Sequence, residues 1–272
     1  MNSGIWIYIV PLAVNLCVAV VAKALKWLTY SGAASALVVG FLAYRFTGLG
    51  GWVLLMLFFI TANILGKVSR AVSPSIEAGI QKKGGTRDWA QVMANGGLAG
   101  ASALLYGIDG GRIALVMFGV AVASSTADTW AGEAGILSKR PPLSIRTFKP
   151  VPAGMSGGVT WLGTASSLVG SVMIALAWYA TFADYSDSSW LFLASIVAVS
   201  GAIGSVADSY LGATVQGHYY DPKRKQITEH ESRDGVKLEL CRGIRWIDND
   251  VVNFLSNAIA VLVGCGFSLI VL

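Results

Sequence analysis

The stretch SWLFLASIVAVSGAIGSVADSYLGATV, residues 189–215, carries one charged side chain, Asp208, in 27 positions. A helix needs about 20 mostly apolar residues to cross a bilayer. This run is therefore long enough to span, and its single carboxylate sits inside the apolar segment. Working outward, seven further runs have the same character: 4–22, 31–47, 49–66, 88–107, 110–129, 156–182 and 249–271. The expected fold is all-α, a polytopic membrane helix bundle of about eight transmembrane helices, with residues 1–272 forming one integral membrane domain. The composition agrees: 54% of the 272 residues are hydrophobic, 13% are charged, and the mean hydropathy is +0.62. Ordinary soluble domains carry about 25% charged residues. A soluble enzyme, a disordered chain and a fibrous protein are excluded on these figures.

The first run begins Met1-Asn2-Ser3-Gly4, without the basic start of a cleaved leader, so it reads as a span. Between 31–47 and 49–66 only Gly48 and the Gly50-Gly51 pair offer a turn. Of the 20 Lys and Arg, all but Arg45 and Arg112 fall in the odd-numbered connections. By the positive-inside rule those connections are cytoplasmic and both termini face outside. The expected setting is a multi-pass protein of a bacterial inner membrane or a thylakoid-type membrane. The net charge of +5 is largely this topology and does not indicate a nucleic-acid partner. Cys17, Cys241 and Cys265 form neither a disulfide nor a zinc pattern.

Ionisable groups inside membrane helices are costly and mark function by default. Here they gather toward one side. Asp128 lies near the cytoplasmic end of the fifth span and Asp208 in the cytoplasmic third of the seventh. Ser125-Thr126-Ala127-Asp128-Thr129-Trp130-Ala131-Gly132 aligns with Ser205-Val206-Ala207-Asp208-Ser209-Tyr210-Leu211-Gly212, a match compatible with a parallel internal repeat. Asn63 and Lys67 close the third span; Gln91 and Asn95 share a face of the fourth with Asp88; Asp250 and Asn253 open the eighth. Interhelical hydrogen bonding is the plain role for such groups, and a ligand site is the sharper one.

Two carboxylates near helix C-termini face the negative ends of the dipoles and need positive charge. Mg²⁺ would supply it, with Glu133, five residues past Asp128, available to join. Ser156-Gly157-Gly158 opens the sixth span, where exposed backbone N–H groups could hold phosphate. The loop from Ser138 to Pro152 adds Lys139, Arg140, Arg146 and Lys149 on a proline-shaped backbone. The connection 216–248 reads as a long charged loop, with His218, Glu229, His230 and Glu231 solvated. Acids and amides beside cations suit phosphoryl or nucleotidyl transfer, with a lipid co-substrate entering sideways from the membrane.

Four blocks carry a resemblance: 125–133, 137–141 with 147–160, 204–216 and 248–253. They resemble the membrane family that contains transmembrane protein 19 and the plant and cyanobacterial phytyl-phosphate kinases. Asp250 stands where that family usually has a second Asn. The resemblance implies transfer of the γ-phosphate of CTP to an isoprenoid monophosphate such as phytyl phosphate. The diphosphate product would serve prenylquinone or tocopherol synthesis. On that reading Asp128 and Asp208 hold Mg²⁺, with Glu133 beside them. Asn63, Asn95, Asn249 and Asn253 orient metal, water or phosphate. Lys67, Lys139, Arg140 and Lys149 hold phosphates, Lys149 at the reacting centre, and Ser156, Gly157 and Gly158 offer backbone donors. A phosphate acceptor is already an anion at neutral pH, so no general base is needed. A cytidylyltransferase that attacks the α-phosphate and a transporter of anions or lipid phosphates stay as rivals, and a homodimer stays open.

Overall fold

The computed structural model describes residues 3–73 and 85–272. Lys82 and Lys83, counted among the cations of the third connection, lie outside the described residues. Within them the chain forms seven helices: α1 (Ser3–Ala24), α2 (Tyr30–Val72), α3 (Trp89–Asp109), α4 (Arg112–Ile136), α5 (Trp161–Phe182), α6 (Ser189–Thr214) and α7 (Asn249–Val271). Six are long and apolar enough to cross a membrane. The other, α3, has the length at 21 residues but carries Gln91 and Asn95 in its first two turns. Large apolar side chains such as Leu12, Val20, Leu176, Phe192, Leu262 and Ile270 face outward. Water would not tolerate so many; lipid does.

The 43 residues of α2 are one element interrupted at Gly48, whose φ of 74° and ψ of −170° are not helical. That conformation belongs almost entirely to glycine. Asn15 of α1 documents the break. Its Oδ1 accepts from Trp52 Nε1 at 3.1 Å, and the same amide packs directly on Gly40. In a straight helix residues 40 and 52 would be about 18 Å apart along the axis, too far for one side chain to touch both.

Start signals are plain in the sequence. Asp88 and Gln91 form a reciprocal capping box on α3; Thr29, Thr160 and Asp248 cap α2, α5 and α7. The start of α5 is therefore Thr160-Trp161, not Ser156, where the sequence pattern puts it. Residues 156–159 are instead a turn running into strand β2 (Gly158–Val159), paired antiparallel with β1 (Leu143–Ser144).

α4 is the centre of the bundle and packs against α2, α3, α5, α6 and α7. Val116, Phe118, Val120 and Ala121 are fully buried, with Ile174, Trp178, Leu193 and Val197 around them. Trp178 Nε1 donates to Leu115 O at 2.8 Å. α4 and α6 lie side by side and run the same way. At one end Arg112 Nη1 donates to Asp187 Oδ2 at 2.7 Å and to Ser189 Oγ at 3.1 Å; at the other Asp128 and Asp208 meet. Gly204 sits against Ser124 and Ala260, so α4, α6 and α7 approach at backbone distance.

The connection 216–248, expected as a solvated loop, is folded. Strands β3 (His218–Asp221), β4 (Gln226–Thr228) and β7 (Glu239–Arg242) make a three-stranded antiparallel sheet in the order β4-β3-β7. β5 (Ser232–Arg233) and β6 (Val236–Lys237) make a hairpin. The fold is thus mostly helical rather than all-α. His218 is fully buried rather than solvated. Its Nδ1 lies 2.9 Å from Gln216 O, and burial pushes its pKa down to about 4. Asp221 is buried too and anchors the β3–β4 turn, accepting from the backbone N–H groups of Lys223 and Arg224 at 3.0 and 3.1 Å.

Candidate functional site

A cavity of about 660 Å³ opens at the end of the bundle that carries the sheet. It is bordered by the first turns of α3, the last turns of α4 and α6, the 153–160 turn, the sheet connection and the start of α7. Elements more than 150 residues apart in sequence therefore build one site.

Asp128 and Asp208 reach the cavity from α4 and α6, with their carboxyls in contact. Two carboxylates held this close repel unless a proton or a cation lies between them. α7 supplies the polar surround. Ser256 Oγ donates to Asp208 Oδ2 at 2.9 Å. With the Asn253 amide oriented so that both of its ends are satisfied, its nitrogen donates to the same oxygen at 2.9 Å and its oxygen accepts from Asn249 Nδ2 at 3.3 Å. Asn249 and Asn253 are one helical turn apart, so the relay runs along one face of α7. A second tie braces the helices: Asn257 Nδ2 donates to Ser125 Oγ at 2.8 Å, and Ser125 Oγ donates to Asn95 O at 2.7 Å. Asn95 lines the cavity, with its own Nδ2 donating to Gln91 O at 3.0 Å.

Ser156, Gly157 and Gly158 also line the cavity, but not as a helix N-terminus. Gly158 N–H is spent on Met155 O at 3.0 Å. Gly157, at φ 81°, is pressed on the backbone of Ala213 in α6. The Ser156 hydroxyl donates to Glu229. Glu229 is buried at 7% exposure and borders the cavity. Burial pushes its carboxyl up to about 7, against the opposing pull of the Ser156 hydrogen bond. The sequence reading placed Glu229 on the surface. The strand alternation points the same way, since Ile227 is exposed and Thr228 buried, and Glu229 breaks it by turning into the cavity wall.

Several expected site residues lie elsewhere. Asn63 is buried in α2 with its Nδ2 on Phe59 O at 2.7 Å and does not line the cavity. Glu133 lines the cavity but away from the aspartate pair, because five residues on an α-helix turn it about 140° round the axis. Its carboxylate accepts from Ser69 of α2. Among the described residues no group of three or more His, Cys, Asp or Glu gathers as a metal centre. Lys67, Lys139, Arg140 and Lys149 are exposed and outside the lining. The loop geometry explains Lys149. Ser144 N–H donates to Lys149 O at 2.9 Å and Phe148 N–H to Ser144 O at 2.8 Å, closing a tight tip at Phe148 (φ 54°). The base of this loop meets the cavity and its basic tip does not. Among the described residues the basic ones that line it are Arg87 and Arg245, which in the sequence read only as loop charge.

The donor set suits a hard divalent cation. Mg²⁺ is commonly held by one or two carboxylates, waters and substrate phosphates rather than by a closed cage. A carboxylate pair with amide and hydroxyl neighbours fits that description.

A family model described as "Integral membrane protein DUF92" matches residues 13–261. Protein PGR of Arabidopsis thaliana is 30% identical over 223 residues, covering 75% of this chain and 76% of that protein. An uncharacterized membrane protein of Methanocaldococcus jannaschii is 30% identical over 205 residues, or 73% and 79% of the two chains. The chloroplastic Protein VTE6 of Arabidopsis thaliana is 24% identical over 243 residues, or 87% and 64%. No solved structure gives a significant match.

Proposed function

The chain belongs to the DUF92 family of integral membrane proteins, and on that footing we propose that it is a membrane phosphotransferase. It passes the γ-phosphate of CTP to an isoprenoid monophosphate such as phytyl phosphate. The observation that carries this reading is the contact between Asp128 and Asp208 at the wall of a 660 Å³ cavity. That volume falls in the usual range for small-molecule sites. The motif resemblance to phytyl-phosphate kinases supports the choice of substrate class, and the similarity to Protein VTE6 and Protein PGR supports the family.

The topology proposed with it has eight crossings, α2 contributing two across Gly48. Both termini face outside, the cavity opens to the cytoplasm, and α4 and α6 are parallel copies of one segment. The membrane is a bacterial inner or thylakoid-type membrane. A nucleotide then arrives from the water side, and the prenyl chain lies along the apolar helix faces.

Asp128 and Asp208 would hold Mg²⁺, which when bound neutralises the phosphate charge between donor and acceptor. Asn253 and Ser256 fix the Asp208 carboxylate, Asn249 orients Asn253, and Asn95 offers a polar contact to the bound phosphates. A phosphate oxygen of the prenyl monophosphate attacks the γ-phosphorus, the bond to the β–γ bridging oxygen breaks, and CDP leaves with that electron pair. The attacking oxygen carries no proton at neutral pH, so alignment and charge neutralisation suffice.

Purified protein in lipid, given Mg²⁺, CTP and phytyl phosphate, tests the reading. Phytyl diphosphate with CDP is the expected product pair. Pyrophosphate in place of CDP would assign attack to the α-phosphate, and no product across several prenyl phosphates would remove the kinase assignment.

A further inference from the structure

Arg87 occupies an unusual mount. Its backbone is fixed on both sides by the turn between α1 and α2: Arg87 N–H donates to Trp27 O at 3.0 Å, and Thr29 N–H donates to Arg87 O at 2.9 Å. The residue after it, Asp88, is the α3 capping residue. The side chain is thus delivered from an immobile point to the cavity wall it lines.

What it does there is not explained by the protein's own contacts. Arg87 Nη1 is buried and has no hydrogen-bond partner among the described residues. Its oppositely charged neighbour, Glu133, is engaged by Ser69, and Arg70, of like charge, is close enough to oppose it. Burial pushes the guanidinium below its ordinary value, which the attraction of Glu133 offsets only in part. A buried guanidinium N–H without an acceptor is costly, and natural structures rarely keep one without a use. Gln91 and Asn95 follow Arg87 at four-residue spacing and line the same cavity. Asp128 and Asp208 line it as well. Arg245, the other basic lining residue, is half-exposed and lies 3.9 Å from Glu231.

We propose that Arg87 is a phosphate-binding residue of this cavity, donating through its unpartnered Nη1 to a phosphate oxygen. The guanidinium fork matches phosphate geometry. The phosphate belongs to one of the two substrates of the reaction proposed above, so the choice of probes rests on that reading, while the binding itself does not. Arg87 and the aspartate pair then divide the site: the cation on α4 and α6, the phosphate oxygens at the head of α3.

The test is equilibrium binding to the full chain in lipid nanodiscs, with CTP and phytyl phosphate titrated separately. Arg87→Ala is expected to weaken one of the two by about 30-fold or more, with Arg87→Lys intermediate, since lysine keeps the charge but not the fork. Lys225→Ala, exposed and outside the cavity, is the control. Loss in the CTP arm places a nucleotide phosphate at Arg87, and loss in the other arm places the lipid phosphate there. Unchanged binding of both probes to Arg87→Ala overturns the proposal. If Arg87→Ala does not fold, Arg87→Lys takes its place, and wild-type affinity for both probes then overturns it. If Arg87→Ala loses binding yet the wild type never makes a diphosphate, the kinase reading falls and the phosphate site stands.

Discussion

Ser156, in the turn before α5, donates a hydrogen bond to Glu229 at the end of β4. The contact ties the 153–160 turn to the sheet across one edge of the cavity. The burial of Glu229 gives the fold a pH dependence. Burial pushes Glu229 up to about 7, so the folded chain holds its proton more tightly than the unfolded chain does. The stability contribution is full below the unfolded value near 4.5 and is lost as pH rises through 7, by about 3 kcal/mol. His218 acts in the opposite sense, since its folded value near 4 removes stability as pH falls below about 6.5. The difference in unfolding free energy between wild type and Glu229→Gln therefore isolates the carboxyl. We expect the wild type to lose about 3 kcal/mol relative to the variant between pH 4.5 and 8. A pH-independent difference would remove the assignment.

Asp128→Asn and Asp208→Asn should each lower turnover by roughly 10²-fold or more, since the pair neutralises phosphate charge through the cation. Neither should unfold the protein, because an amide beside the remaining carboxylate relieves repulsion. Chelation of Mg²⁺ should stop turnover reversibly. Thermal unfolding and product formation on the same samples separate the two effects, and a fully active Asp128→Asn would sink the metal assignment.

Lys149→Ala, and Lys139→Ala with Arg140→Ala, should change turnover by less than about threefold, as for surface substitutions away from a site. The motif resemblance implies the reverse, because it puts these cations on the phosphates. Kinetics of the three variants decide, and a hundredfold loss in Lys149→Ala would mean that the 144–149 tip reaches the substrate.

Gly48→Ala should destabilise the protein by about 1–3 kcal/mol, the cost of forcing a Cβ into a region of backbone space reserved for glycine. No side chain lies near enough to object, so the loss is purely conformational. An unchanged unfolding midpoint would show that the break tolerates other residues.

Orientation is open to direct labelling. In a chain lacking Cys17, Cys241 and Cys265, Asp109→Cys should react with a membrane-impermeant maleimide in intact cells. Lys225→Cys should react only after lysis. The opposite pattern would invert the topology.

Most of the helices were legible because apolar length is a strong signal: 189–215 against the observed Ser189–Thr214, and 249–271 against Asn249–Val271. Both aspartates stood out as charges where the bilayer forbids them. The sheet did not stand out, since strands of two to four residues bearing Lys, Arg and Glu have no period long enough to read. Ser156-Gly157-Gly158 looked like a helix start because serine and glycine favour that position. Thr160, four residues on, is the true cap, bonded to Gly163 N–H at 3.0 Å. Arg87 could not be told from other loop cations, since its value comes from what surrounds it: a turn 60 residues earlier and a glutamate 46 residues later.

The burial of α4 has a consequence for the membrane around the protein. Of its most apolar stretch 72% is buried, against 22% for α1 and 33% for α5 and α7. A bilayer that thins or thickens acts through the surfaces it wets, so hydrophobic mismatch falls on the outer helices and scarcely on α4. The depth of Asp128 is set by its protein neighbours rather than by the length of the lipid chains. The site should therefore keep its shape in membranes of different thickness while the rim tilts to fit them.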